Sequence, residues 1–243
     1  MRASLLQKLK IIIVSLYATL RITFIALYCV YFKGGYKRGL GDEWLRWWAY
    51  KLLEALKITY TVSDPYRIAI DPGKSYIIMS NHRSLYDIPL IMLSLPGSIR
   101  MLTKKKLFKV PIWDRWLQAG EFISIDRFDL KQAKKDLQNA RRKMESGVVL
   151  RIAPEGTRSR TGRLGSFKKG GSILAIESGA NIILVGIKGS EAVLKPKTWD
   201  FFLGQTVEIH IGKPIDASRY TLDQKDQLLN AVQKEIAHLC GEE

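Results

Sequence analysis

The chain has 243 residues, enough to bury one substantial core, and this fits a single domain with an accessory segment better than two full domains. Lys and Arg number 39 against 23 Asp and Glu, a formal charge of +16, so the expected partners are polyanions or anionic surfaces, with nucleic acid and phospholipid headgroups both open at this point. Two cysteines, Cys29 in an apolar run and Cys240 near the end of the sequence, exclude a disulfide framework and a cysteine metal cage and fit a reducing, cytosol-facing compartment.

Residues 11–32 read IIIVSLYATLRITFIALYCVYF, apolar and long enough to span a hydrocarbon core of roughly 30 Å as a helix. Arg21 stands in the middle of that run. A mid-span guanidinium costs about 2.5–3.5 kcal/mol on insertion scales, which a strongly apolar helix can offset but which also favours a broken, leaflet-embedded arrangement, and both readings put the chain on a membrane. Lys8 and Lys10 precede the run and Lys33, Lys37 and Arg38 follow it. Basic residues on both flanks give no clean orientation and suit a re-entrant hairpin. A secretory signal is disfavoured, because no A-x-A-like cleavage site follows. After Gly34 and Gly35, DEWLRWWAYKLLEALK (42–57) carries an apolar stripe of Trp44, Trp47, Trp48, Leu52, Ala55 and Leu56. That stripe suits either an interfacial helix or packing on a soluble core. The expected division is a membrane-anchoring helical segment over 1–57 and a catalytic domain over 58–243.

From residue 58 onward short β-rich runs alternate with helical stretches, which predicts an α/β fold, a mixed sheet flanked by helices. Strands are expected over 58–62, 76–80, 98–102, 122–126, 148–153, 182–187 and 207–211. Helices are expected after Asp87 and over 107–117, 130–145, 171–178 and 222–239. The clearest is 130–145, with Ala133, Leu137, Ala140 and Met144 on one face and basic residues on the other.

Two clusters carry chemistry. NHRSLYD (81–87) lies between the apolar strand YIIMS and the helical run IPLIML. On one continuous helix His82 and Asp87 would point apart, so they meet only if His82 lies in a strand-to-helix turn. Such a pair suits general-base catalysis, the carboxylate fixing the imidazole tautomer and stabilising its protonated form. Taken alone, a His and an Asp five apart are more often structural. Ser84 reads as a turn or cap residue, because no nucleophile elbow surrounds it. The second cluster, APEGTRSRTGRLGSFKKGG, follows the strand VVLRI. Its glycines allow close backbone approach, Arg158 with nearby hydroxyls and amides can hold a phosphate, and Glu155 can orient Arg158 or bind a hydroxyl. The spacing is neither that of a Walker A loop nor of a dinucleotide fingerprint.

NHRSLYD followed downstream by PEGTRS resembles the PlsC-type glycerolipid acyltransferases, the 1-acylglycerol-3-phosphate acyltransferases. The resemblance implies that His82 and Asp87 form the catalytic dyad and that Glu155, Gly156, Thr157 and Arg158 bind the acceptor. It also implies a phosphate-contacting Arg127 in the stretch Ile125, Asp126, Arg127, and Lys104 of TKKKLFKVP as a further phosphate ligand. The chain departs from the family pattern at Ala153, where Phe is usual, at Lys106, where Glu is common, and in NIILV (181–185), which lacks the usual prolines. The implied reaction moves an acyl chain from acyl-CoA or acyl-ACP, as co-substrate, to 1-acyl-sn-glycerol 3-phosphate, with no bound cofactor and no metal. Another lysophospholipid or lyso-ornithine lipid is the alternative acceptor, and a non-catalytic basic membrane-binding protein the alternative outside enzymes. The implied partners are the two substrates, membrane lipids and an acyl carrier protein, at the inner or cytoplasmic membrane with the catalytic domain facing the cytoplasm. Nucleic acid is not expected, since few aromatics interleave the basic clusters.

Overall fold

The computed structural model describes residues 1–35, 37–105, 108, 113–125, 130–159, 161–194 and 198–242. The helices are α1 (Leu5–Phe32), α2 (Arg38–Ala55), α3 (Asp87–Ser94), α4 (Trp113–Ala119), α5 (Leu130–Glu145), α6 (Gly170–Ser178) and α7 (Lys225–Cys240). The strands are β1 (Thr59–Ser63), β2 (Tyr76–Ser80), β3 (Ser98–Lys104), β4 (Ile123–Ile125), β5 (Val148–Ile152), β6 (Asn181–Lys188), β7 (Thr206–Ile211) and β8 (Ile215–Asp216). They form one sheet in the order β1-β7-β6-β2-β5-β3-β4, with β8 on β6. Neighbours from β6 through β4 are parallel, whereas β7 runs antiparallel to β6. The mixed α/β architecture expected from the sequence is therefore present.

β2 and β5 are buried along their whole length, as strands covered on both faces must be. Alternation sends Ile78 to one face with α2 and α3, and Ile77 and Met79 to the other with α5, α6 and α7. α2 commits Leu45, Ala49 and Leu53 to the first core, with Trp44, Trp47 and Trp48 packed at its margin. Each fully buried leucine contributes roughly 1.5–3 kcal/mol. On α5 the apolar face predicted by periodicity places Ala140 and Met144 in the second core.

The topology opens a crevice at one edge. β2 and β5 are neighbours, yet the chain after β2 enters α3 on one face and the chain after β5 leads to α6 on the other. Loops that part in this way at the carboxyl ends of adjacent parallel strands form the ligand site of open α/β sheets. Both sequence clusters occupy these two loops.

α1 begins earlier than its apolar run, because Ser4 and Gln7 form a reciprocal capping box. Among the described residues it is the helix long and apolar enough to cross a bilayer. Both of its ends are nonetheless tied to the domain. The Ala3 amide donates to the Phe201 carbonyl at 2.9 Å and Lys8 pairs with Asp200 at 3.0 Å, while Tyr31 near the far end lies under the Arg115 guanidinium of α4. One side of α1 is buried through Ile11, Ala18, Ile22 and Ala26. The opposite side exposes Ile13, Tyr17, Leu20, Phe24 and Tyr28. Arg21 lies on that side without a carboxylate partner among the described residues, its guanidinium 5.1 and 4.7 Å from the ring centres of Trp44 and Trp47. Cation–π contact, not an ion pair, accommodates this charge in the apolar run.

Candidate active site

The turn after β2 is built by side chains that bond to backbone. Asn81 extends the strand pairing, its Nδ2 donating to the Ile187 carbonyl at 2.8 Å and its Oδ1 accepting the Ile187 amide at 2.9 Å. His82 then leaves the strand, and Asp87 opens α3, where the free amides of a helix start favour a carboxylate. One oxygen, Asp87 Oδ2, takes His82 Nδ1 and the backbone amides of Arg83 and Ser84, each at 2.8 Å. The turn and the dyad are thus the same hydrogen-bonded unit. Ser84 is fully buried, with its hydroxyl donating to the Leu194 carbonyl, so it serves the turn and offers no nucleophile.

The electrostatics keep His82 in its neutral form. Burial lowers the imidazole pKa, Arg151 and Arg158 push it further down, and Asp87 opposes them without prevailing. His82 is therefore neutral near pH 7, with Nδ1 committed to Asp87 and Nε2 left for a substrate proton. Burial works against the charge of Asp87, but the hydrogen bond and charge of His82 and the Ser84 amide outweigh it, holding the carboxyl below the ordinary aspartate range.

The loop after β5 is fastened to this turn. Glu155 Oε1 accepts the His82 amide at 3.0 Å and its Oε2 accepts the Gly165 amide at 2.9 Å, while the Ser159 amide donates to the His82 carbonyl at 2.8 Å. Burial raises the Glu155 pKa despite those amides. Each oxygen of Glu155 accepts one backbone amide, so Glu155 holds the two loops together and keeps further acceptor capacity. Gly156 has a φ of 76°, and a Cβ there would fall 3.2 Å from Lys168 Cε. Thr157 is exposed on the loop surface.

Arg158 lines a groove of 650 Å³ together with Leu85 and Tyr86 of the His82 turn, Ile11, Leu16 and Thr19 of α1, and Trp48 and Leu52 of α2. The volume lies within the usual range for an organic ligand. A cation on the wall of an apolar groove, close enough to His82 to help lower its pKa, fits an amphiphile with an anionic head.

Of the remaining expected residues, Lys104 ends β3 in register with Ile125, and only its backbone is described. Asp126 and Arg127 follow β4 directly and lie outside the described residues, as does part of the expected helix 107–117. The structure also adds a residue. Arg151, the penultimate residue of β5, is buried, and its Nη2 donates to Ser80 Oγ at 2.9 Å and more distantly to the Asn81 carbonyl. Burial lowers its pKa, against the opposing charges of Asp87 and Glu155. The signal for it was available, a lone arginine in the apolar strand VVLRI.

A family model described as Acyltransferase matches residues 61–188, which include β2, the His82 turn, β5 and the Glu155 loop. The chain belongs to the acyltransferase family. A chloroplastic 1-acyl-sn-glycerol-3-phosphate acyltransferase from Arabidopsis thaliana is 29% identical over 161 residues, 66% of this chain and 44% of that protein. The 1-acyl-sn-glycerol-3-phosphate acyltransferase of Borreliella burgdorferi is 27% identical over 184 residues, 76% of this chain and 72% of that protein. The chain spans less than half the length of the plant chloroplast relatives it matches. The crystal structure of the 1-acyl-sn-glycerophosphate acyltransferase PlsC from Thermotoga maritima superposes with a TM-score of 0.70 at 24% identity, covering 96% of this chain and 97% of that one. The fold is therefore shared along almost the full length, including α1 and α2.

Proposed function

We propose that the chain transfers an acyl group from an acyl thioester to the free hydroxyl of 1-acyl-sn-glycerol 3-phosphate, making phosphatidic acid at a membrane surface. The observation that carries this reading is the neutral His82, anchored through Nδ1 on Asp87, in a turn whose Leu85 and Tyr86 line an apolar groove with Arg158 on its wall. The names of the relatives from Arabidopsis thaliana and Borreliella burgdorferi support the same acceptor.

In the proposed reaction the acceptor phosphate docks on Arg158, with Lys104 and Arg127 as further ligands, and this places the hydroxyl near His82. His82 Nε2 takes the hydroxyl proton as the oxygen attacks the thioester carbonyl, and Asp87 stabilises the imidazolium. The tetrahedral intermediate collapses, the C–S bond breaks, and the proton on His82 passes to the departing thiolate of CoA or acyl carrier protein. Holding hydroxyl and base in one geometry supplies much of the acceleration. The reaction written in this way calls on no bound cofactor or metal.

The reading for the membrane is that α1 lies along the interface of one leaflet. Its attachment to the domain at both ends and its exposed apolar stripe support this. The two free cysteines fit a catalytic domain facing the cytoplasm, where acyl thioesters are made. The test offers purified protein in vesicles a mixture of lysolipids with acyl-CoA or acyl-ACP and identifies the product by mass spectrometry. The expected product is phosphatidic acid, lost in His82→Ala while vesicle binding persists. Turnover retained by His82→Ala refutes the mechanism, and acylation of another lysolipid refutes the acceptor.

A further inference from the structure

The His82 turn and the loop after β5 are joined by a second carboxylate, from outside both motifs. α7 ends against β6 so closely that a Cβ on Gly186 would fall 2.5 Å from the Leu239 backbone. Gly241 then turns the chain in a left-handed conformation, φ 71°, and the Glu242 amide returns to the Ala237 carbonyl at 2.9 Å. This reversal delivers Glu242 to the site. One of its oxygens pairs with Arg83 Nη2, and the other accepts the Leu164 amide at 2.7 Å.

The arrangement repeats that of Glu155. Consecutive amides, Leu164 and Gly165, are held by Glu242 and Glu155, and the second oxygens of those carboxylates hold consecutive residues of the catalytic turn, Arg83 and His82. Arg83 is 6% exposed, and its other acidic neighbour, Glu191, stands 3.6 Å away. A guanidinium this buried requires a close counter-charge, so Glu242 is placed where its removal is felt at the turn.

We infer that Glu242 is a positioning residue for the acyl-transfer site, fixing the Arg158 loop against the His82 turn through Leu164 and Arg83. The inference rests on the proposed function for its kinetic test. It acts on the acceptor side, because Leu164 belongs to the loop that carries Arg158. In Glu242→Gln the KM for the lysophospholipid rises on the order of tenfold while the KM for the acyl thioester holds, and kcat falls by a smaller factor. Glu242→Ala gives the larger effect, since the Gln carbonyl can still accept the Leu164 amide.

The closing experiment combines a mutant cycle with hydrogen exchange. Arg83→Gln with Glu242→Gln is expected to lose no more than the worse single variant, because both remove one bridge. The Leu164 amide in Glu242→Ala, which removes its acceptor altogether, exchanges about tenfold faster relative to that of Ile183 in the core. Additive losses, or unchanged Leu164 exchange, overturn the inference. If the unsubstituted protein transfers nothing to 1-acyl-sn-glycerol 3-phosphate, the functional reading fails, and the exchange of Leu164 still decides whether the bridge exists.

Discussion

Asp87→Asn tests the dyad most directly, because the geometry here predicts an unusual outcome. Asparagine normally disables such a base by presenting its amide nitrogen to the histidine and enforcing the wrong tautomer, with losses of about 10⁴ in kcat. Here one oxygen, Asp87 Oδ2, receives the Arg83 and Ser84 amides as well as His82 Nδ1. Two backbone donors fix the Asn carbonyl at that position, so it continues to accept from Nδ1. The new NH₂ takes the place of Oδ1, which accepts none of these three bonds, and the Ser190 hydroxyl close to Asp87 can receive it. The tautomer survives and only the charge is lost.

The remaining penalty is the attraction between carboxylate and imidazolium. Two unit charges about 4 Å apart at an effective dielectric near 20 interact by roughly 4 kcal/mol, an upper bound on a loss of about 10²–10³ in kcat. Asp87→Ala is worse. It strands the Arg83 and Ser84 amides at about 1–3 kcal/mol each, frees the ring, and is expected to lose about 10⁴ in kcat along with thermal stability. The assay follows thiol release from acyl-CoA with 1-acyl-sn-glycerol 3-phosphate in mixed micelles, beside circular-dichroism melting. An Asn variant as inactive as the Ala variant refutes orientation through a single oxygen. One with full activity refutes the catalytic use of the charge.

Because burial and the two arginines lower the His82 pKa, the base form persists on acidification, and the acid limb of kcat/KM is expected below the ordinary imidazole value of about 6.5. Arg151→Gln removes one of those charges and moves the limb to higher pH; a limb that stays in place refutes the assigned coupling. A phosphate docked on Arg158 offsets the other, so the acid limb of kcat is expected at higher pH than that of kcat/KM. Thr19→Trp in the groove wall is expected to shift the preferred acyl chain to shorter lengths without destroying turnover, measured with a series of acyl chain lengths. Ile13→Glu with Phe24→Glu, both on the exposed side of α1, is expected to abolish vesicle sedimentation while leaving the melting temperature within a few degrees.

The elements that were legible were those whose signal is local. β2, β5 and β6 appeared at nearly their observed bounds, because strands buried on both faces are runs of Val, Ile and Leu between polar turns. β8, two residues long and held only by pairing with β6, has no such signal. The course of α1 was open for a related reason. Its composition permits a crossing, and what ties it along the domain is contact with Phe201 and Asp200, remote in sequence. The buried face of α2 is Leu45, Ala49 and Leu53, offset from the expected stripe, of which Leu56 is buried while Trp44, Trp47, Trp48, Leu52 and Ala55 pack at the margin of the core, with Trp44 and Trp47 around Arg21.

In the site the same division separates what a residue is from what it touches. His82 and Asp87 could be paired from sequence because five residues and one turn determine whether they meet. Glu155 was visible as a charged residue in the right loop, but its partners depend on the pairing of β2 with β5, which juxtaposes the two loops and makes Glu155 a brace between their backbones. Arg151 and Glu242 lie farther along the same scale. An arginine in an apolar strand signals burial without naming a partner, and an acidic residue after a helix signals nothing until Gly186 and Leu239 set where that helix ends. Each additional layer of support around His82 is therefore fixed by longer-range packing than the last. Substitutions in these outer supports should show in KM and in pH profile before they abolish turnover, because they move the base and its acceptor relative to one another without removing either.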